Sequence, residues 1–155
     1  MRYWFEDVEI SEQGLTPGNP VNEDHVKLAK LWIKTYLVPR KTVNKRMGSS
    51  YRLKHVVENW AGVMDDYGIS LHDENGKIIE NQAYISNGAF ISAMLQSEYC
   101  FACSSGRINP YFAAQYNGPY IQDSTHGKSM PHSADEWDLL LKPLLKAIKP
   151  TDDNL

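Results

Sequence analysis

The stretch NQAYISNGAFISAMLQS, residues 81–97, is the longest uncharged segment of the chain and lies near its middle. Ser86 is a good N-cap, because its hydroxyl can accept a backbone N–H from the first helical turn. With that cap, Ile85 and Phe90 have the spacing of a hydrophobic staple. Apolar residues then recur on two sides, which predicts a central helix buried on two sides. We interpret Gly88 in its first turn as a tolerated early glycine rather than a point of close backbone approach.

The same stretch is not predicted to span a membrane. Polar Asn and Gln residues interrupt its apolar run, whereas a spanning helix needs about 20 predominantly apolar residues. The N-terminal MRYWFEDVEIS is mixed and acidic and contains no apolar signal core. Two cysteines do not make a disulfide framework in a chain of this length. We therefore expect a cytoplasmic protein without a membrane partner.

A chain of 155 residues fits one domain, residues 1–155, with a frayed tail at 151–155. Helical patterns precede the central helix and strand-like aromatic patterns follow it. The predicted class is α+β: a mainly helical single domain with a β-hairpin after the central helix, which is also a winged-helix-like order. Before the central helix we predict an edge strand at 2–10, helices starting at Asn22 and at Ser49 or Ser50, and a hairpin about Asn75–Gly76. After it we predict strands at 99–103 and 108–116. A last helix is capped by Ser133 and is kinked or split by Pro143.

Helical spacing also selects the core. Apolar residues recur at intervals of three and four on each predicted helix, and such stripes face the interior. The residues predicted to be largely buried are Trp60, Phe90, Met94, Trp137 and Leu141.

The net charge of −3 hides a strong asymmetry between one basic segment and an acidic remainder. Residues 25–57 contain nine Lys or Arg and no Asp or Glu, whereas the rest of the chain holds seven cations against nineteen anions. This pattern favours contacts with nucleic-acid phosphates. The alternative is a basic face that is solvated or pairs with the protein's own acidic surface. The candidate nucleic-acid-binding residues are Lys27, Lys30, Lys34, Arg40, Lys41, Lys45, Arg46, Arg52 and Lys54.

Direct reading of bases is not expected. In helix-turn-helix proteins the second helix of the motif enters the major groove. The corresponding segment here, residues 87–97, contains no Lys or Arg.

Two phrases, SYRLKHVVE at residues 50–58 and YISNGAFISA at residues 84–93, resemble small, mostly uncharacterised proteins carried by phages, plasmids and gene cassettes. In those proteins the two phrases lie closer together, which implies an insertion here at residues 63–83. The resemblance covers about a third of the chain. It implies an origin in a mobile genetic element and assigns no functional residues.

Cys100, Cys103, His126 and His132 have the residue types of a structural zinc site. In a regular strand, however, residues three apart point to opposite faces, so the two sulfur atoms could not share a metal ion. We therefore predict free thiols that act as small buried hydrophobes, with no metal and no other cofactor.

His55 and Glu58 lie three apart on the second predicted helix, so their side chains can meet. A general base oriented by a carboxylate has this form, and so does an ordinary surface pair, which we favour. His72, Asp73 and Glu74 beside the hairpin turn are expected to be solvated. The chain has no phosphate-binding glycine loop, nucleophile elbow or two-histidine metal helix, so we name no catalytic residues.

Three functions remain open at this stage. The first is a non-enzymatic accessory protein that binds nucleic-acid phosphates through residues 27–54. The second is a protein-binding accessory factor, or a homodimer, that uses exposed aromatic side chains. The third is a small hydrolase or transferase whose site is scattered in the sequence. We predict the first, because the charge asymmetry is the strongest signal in the chain.

Overall fold

The structure is a computed structural model that describes residues 3–80, 84–102, 108–118 and 134–148. Within these residues it has four α-helices and three two-stranded antiparallel sheets, which confirms the predicted α+β class. The helices are α1 (Glu23–Tyr36), α2 (Ser50–Asp66), α3 (Asn87–Gln96) and α4 (Ala134–Ile148).

The predicted central helix is α3, and its eight buried residues run without interruption from its first position. The Ser86 hydroxyl accepts the backbone N–H of Ala89 at 3.1 Å, so Ser86 is the N-cap. Ile85 and Phe90, the two staple residues, are both 0% exposed. Residues 87–94 of α3 therefore leave no free face along most of the helix.

Gly88 lies where another part of the backbone touches α3. A Cβ atom at this position would collide with the carbonyl oxygen of Ser11. The backbone N–H of Gly88 donates to the carbonyl of Glu12 at 3.3 Å. The interpretation of Gly88 as a merely tolerated glycine is therefore wrong, because the missing side chain lets the turn at residues 11–14 pack on the first turn of α3.

A chain of hydrogen bonds crosses the core and links three helices. The indole N–H of Trp60 on α2 donates to the hydroxyl of Tyr36 on α1 at 3.0 Å. That hydroxyl in turn donates to the backbone carbonyl of Leu140 on α4 at 2.8 Å. Burial raises the pKa of Tyr36 well above its ordinary value, so the phenol stays protonated and keeps its donor role.

The core predicted on α2 and α3 is confirmed, since Trp60, Phe90 and Met94 are all 0% exposed. Of the two core residues predicted on α4, Leu141 is partly buried and packs against the core, whereas Trp137 is partly buried at its edge. The apolar stripe of α4 is wider than the side that meets the core, and spacing alone does not choose between its members.

Other apolar side chains of α4, next to those predicted, face the core more directly. Among the α4 side chains that the structure describes, Leu140 and Leu144 are buried. Trp137 instead packs against the exposed ring of Tyr67, just after α2, with 4.7 Å between ring centres. The helix continues through Pro143 rather than splitting there.

The N-terminal segment is a hairpin rather than the single edge strand predicted at 2–10. Strand β1 (Tyr3–Phe5) pairs antiparallel with β2 (Val8–Ile10). Glu6, between the two strands, has a positive φ of 55° that the tight turn imposes.

Two further sheets lie on either side of residue 113. The strands are β3 (Leu37–Pro39), β4 (Phe101–Ala102), β5 (Tyr111–Phe112) and β6 (Ala114–Tyr116). β4 pairs with β5, which confirms a β-hairpin after the central helix, and β3 pairs with β6.

Ala113 divides the single strand that was predicted at 108–116. Its N–H donates to the carbonyl of Cys100 at 2.9 Å, and its own carbonyl accepts the N–H of Arg40 at 3.0 Å. The chain therefore changes pairing partner at this residue. One short segment joins the end of α1 to the hairpin that follows α3.

The hairpin predicted about Asn75–Gly76 is confirmed as a short turn with one bridge. His72 and Ile78 form that bridge. The N–H of Gly76, a residue with a positive φ of 81°, donates to the carbonyl of Asp73 at 3.0 Å. This turn places two acidic side chains beside α1.

Some predicted features lie outside the described residues. They include the cap at Ser133, the hairpin turn at 104–107 and the tail at 151–155.

Candidate nucleic-acid interface

Two lysines of α1, Lys27 and Lys30, face the acidic turn at residues 73–74. Lys27 Nζ lies 3.7 Å from Asp73 Oδ2, and Lys30 Nζ lies 3.7 Å from Glu74 Oε2. Lys30 also donates to Gln96 Oε1 at 3.3 Å. These two lysines therefore form pairs with the protein's own acidic surface, which was the alternative left open by the sequence.

Asp73 is a fixed partner rather than a solvated one, so the expectation of solvation is wrong for it. Its carboxylate accepts the backbone N–H groups of Asn75 at 2.8 Å and Lys77 at 3.0 Å. The N–H of Lys77 is the main cause that lowers the pKa of Asp73 below its ordinary value. The carboxylate beside Lys27 thus stays ionised at neutral pH.

Lys54 is buried and cannot reach a phosphate from its present position. The residue is 7% exposed, and its Nζ donates to Glu58 Oε2 at 3.1 Å. The same Nζ lies 4.9 Å from the ring centre of Tyr84 and 5.5 Å from that of Tyr51. A buried cation needs such partners, because its desolvation is costly without them.

Glu58 ties α2 to the segment before α3. Its second oxygen lies 3.0 Å from His55 Nδ1, so the predicted contact between these two residues is confirmed. The oxygen that accepts from Lys54 also accepts the backbone N–H of Ile85 at 3.2 Å. The two resembling phrases, at residues 50–58 and 84–93, therefore meet in space. With both oxygens engaged, Glu58 has the contacts of a structural cross-link.

The other cations lie on a loop whose backbone is held in place. Arg40, Lys41, Lys45 and Arg46 are all exposed, between the end of β3 and the start of α2. The N–H of Asn44 in this loop donates to the carbonyl of Phe112 at 2.8 Å, and its side-chain amide donates to the carbonyl of Ala114 at 3.0 Å. Together with the bond from the N–H of Arg40, these contacts fix the loop on β5 and β6.

Arg52 joins this loop from the first turn of α2. Gly48 has a positive φ of 101°, and a Cβ atom there would collide with Cδ of Arg52. The arginine stem therefore runs over Gly48 toward the loop. On the other side, Lys45 Nζ lies 5.9 Å from the ring centre of Tyr111 on β5. We call Arg40, Lys41, Lys45, Arg46 and Arg52 the loop cations.

The segments that carry the loop cations and hold the loop contain no carboxylate. Residues 25–57 have no Asp or Glu, and neither do residues 99–122, which supply β4, β5 and β6. The sequence identified the first segment but not the second, because the pairing of the loop with residues 111–116 is a long-range contact. Asn44 and Tyr111 were missed for the same reason.

His25 is a buried imidazole at the start of α1. It is 8% exposed, and its ring meets that of Tyr84 edge to face with 5.3 Å between centres. Burial lowers the pKa of His25, and the nearby carboxylates of Glu12 and Asp24 oppose this shift. The imidazole is therefore neutral at neutral pH.

No metal site is formed by the residues that the structure describes, since no three of their His, Cys, Asp or Glu side chains come together. Cys100 is a free thiol and is exposed, so its predicted role as a small buried hydrophobe is wrong. Its place beside β4, at the rim of a two-stranded sheet, leaves it open to solvent. The other zinc candidates, Cys103, His126 and His132, lie outside the described residues.

Comparisons with known proteins find no matching family model, no matching curated protein and no matching solved structure. In the described part of the chain, no helix combines the length and the apolar character needed to cross a bilayer.

Proposed function

We propose that this is a non-enzymatic accessory protein that binds nucleic-acid phosphates through the loop cations, without reading base sequence. The observation that carries the proposal is the loop at residues 40–49. It presents four exposed cations on a backbone that is hydrogen-bonded to β5 and β6. A rigid array of this kind loses less conformational entropy on binding than a free basic tail does.

The affinity of such a site comes mainly from counterion release. Each phosphate that a Lys or Arg neutralises frees condensed cations from the nucleic acid, and this term is independent of sequence. The acidic remainder of the chain repels phosphates elsewhere, so binding is directed to the loop.

The proposed site is narrower than the nine residues predicted from the sequence. Lys27 and Lys30 already lie near carboxylates, and Lys54 is buried against Glu58. Lys34 is exposed on α1 and is a peripheral contributor.

The test is a binding titration on a mixed-sequence duplex at several salt concentrations. Five phosphate contacts give a slope of log affinity against log salt of about −4 to −5. Changing Arg40, Lys41, Lys45 and Arg46 to Gln should flatten this slope toward about −1, because one loop cation remains. Absence of binding to this duplex and to either of its separated strands at low salt, where the electrostatic attraction is strongest, would overturn the proposal.

A matched pair of double variants distinguishes the contribution of the loop cations to binding from that of the protein's net charge. Lys41→Gln with Arg46→Gln, and Lys27→Gln with Lys30→Gln, each remove two positive charges. The loop pair should reduce the slope by about 2, and the α1 pair should leave it nearly unchanged. Equal losses in the two variants would show that net charge matters and the loop does not.

A further inference from the structure

Two exposed tyrosines lie beside Lys54, and one of them directly precedes a loop cation in the sequence. Tyr51 is 52% exposed and lies in the first turn of α2, directly before Arg52. Tyr84 is 50% exposed and precedes the N-cap of α3. Both rings lie near the same ammonium group, that of Lys54, at 5.5 Å and 4.9 Å from their centres. The two rings are therefore neighbours on one surface.

Neighbouring side chains hold the rings of Tyr51 and Tyr84 in place. Lys54 is itself held by Glu58, so the cation under the rings is fixed. The imidazole of His55 meets the Tyr51 ring edge to face with 4.7 Å between centres. His25 meets the Tyr84 ring in the same way. Half of each tyrosine nevertheless stays open to solvent, so a flat partner could pack on it with little loss of side-chain freedom.

From this arrangement we propose that Tyr51 and Tyr84 form a stacking platform for unpaired bases, and that the nucleic acid bound is single-stranded. The inference rests on the proposed function, in which the loop cations hold the phosphates. Proteins that bind single strands combine a basic track with aromatic rings on which bases stack. In a duplex the bases are already stacked on each other, so the two tyrosines gain nothing from it.

The test compares three probes of equal length at low salt. They are a mixed-sequence single DNA strand, the same strand with an abasic site in place of every base, and the duplex. Stacking of one or two bases should make the intact single strand bind at least about fivefold tighter than the abasic strand. The double variant Tyr51→Ala with Tyr84→Ala should abolish that difference and leave the affinity for the abasic strand unchanged.

Three further variants keep the test specific. Tyr51→Trp and Tyr84→Trp retain a flat ring and should preserve the preference for bases. Tyr67→Ala removes a tyrosine of similar exposure, 54%, that contacts Trp137 instead of Lys54, and it should have no effect. An equal loss in Tyr67→Ala would overturn the platform.

The two proposals fail in different ways. Equal affinity for the intact and abasic strands would overturn the stacking platform while phosphate binding stands. No binding of any probe at low salt would overturn both. Association of the protein with itself that the tyrosine double variant abolishes, without any dependence on bases, would show that the rings serve a second copy of the chain.

Discussion

At the scale of single residues, His25 makes the stability of the protein depend on pH. Burial lowers its pKa, and Lys54 acts in the same direction, whereas Glu12, Asp24 and Glu58 act against it. The unfolded chain binds the proton at an ordinary pKa of about 6.5, more readily than the folded chain does. The contribution of His25 to the free energy of unfolding is therefore complete above that pH and is lost as the pH falls below it.

Urea denaturation between pH 7 and pH 5 measures this effect. The urea midpoint of the unaltered protein should fall as the pH is lowered through this range, and His25→Gln should make the decline shallower. An NMR titration of the His25 ring gives an independent check. A midpoint at or above the ordinary value would contradict the expected shift.

Lys54 and Lys27 show which kind of ion pair can be predicted from a sequence and which cannot. Both occur in a basic segment at helical spacing, and the pattern gives them the same role. Lys54 lies one turn after the buried Ser50, so its stem points inward and finds Glu58 four residues later. Lys27 points outward but meets Asp73, a residue that is remote in sequence. The local ion pair could have been predicted, and the distant one could not.

At the scale of elements, the capped start of α3 was predictable because Ser86, Ile85 and Phe90 act within one turn. The division of the strand at Ala113 was not predictable, since it depends on Arg40 and Cys100, which come from two distant segments. The same limit applies to the site. The sequence located its cations, but only the long-range pairing shows which of them lie on a fixed loop.

Asn44 is the residue through which the loop can be loosened without changing its charge. Asn44→Ala removes the side-chain bond to Ala114, at a cost of about 1 kcal/mol. We expect part of this cost to appear as weaker binding, so that oligonucleotide affinity falls by roughly twofold to fivefold. The slope of log affinity against log salt should stay unchanged, because no charge is removed.

The same change at Asn75, in the exposed turn beside α1, serves as the control and should leave affinity unaltered. If Asn44→Ala binds like the unaltered protein, the fixed conformation of the loop does not contribute to binding.

At the scale of the whole molecule, Phe90 connects the layers of the fold. Its ring centre lies 6.1 Å from that of Trp32 on α1 and 5.7 Å from that of Phe112 on β5. Phe90→Ala should lower the free energy of unfolding by about 3–5 kcal/mol, because it leaves a cavity where three elements meet. Urea denaturation measures this loss.

Leu139→Ala is a matched truncation on α4 at a side chain that is 38% exposed. It should cost less than about 1 kcal/mol. A loss that small in Phe90→Ala would mean that α3 is not the centre of the fold.

The hydrogen bond between Asn44 and Ala114 joins residues that are 70 positions apart in the chain. During synthesis the basic segment therefore leaves the ribosome long before the strand that fixes it. At about 5–20 residues per second, the delay is roughly 4 to 14 seconds. For that interval the nascent chain carries its positive charges without their final geometry, next to ribosomal RNA. The loop takes its final shape only after residues 112–114, which accept its hydrogen bonds, have also emerged.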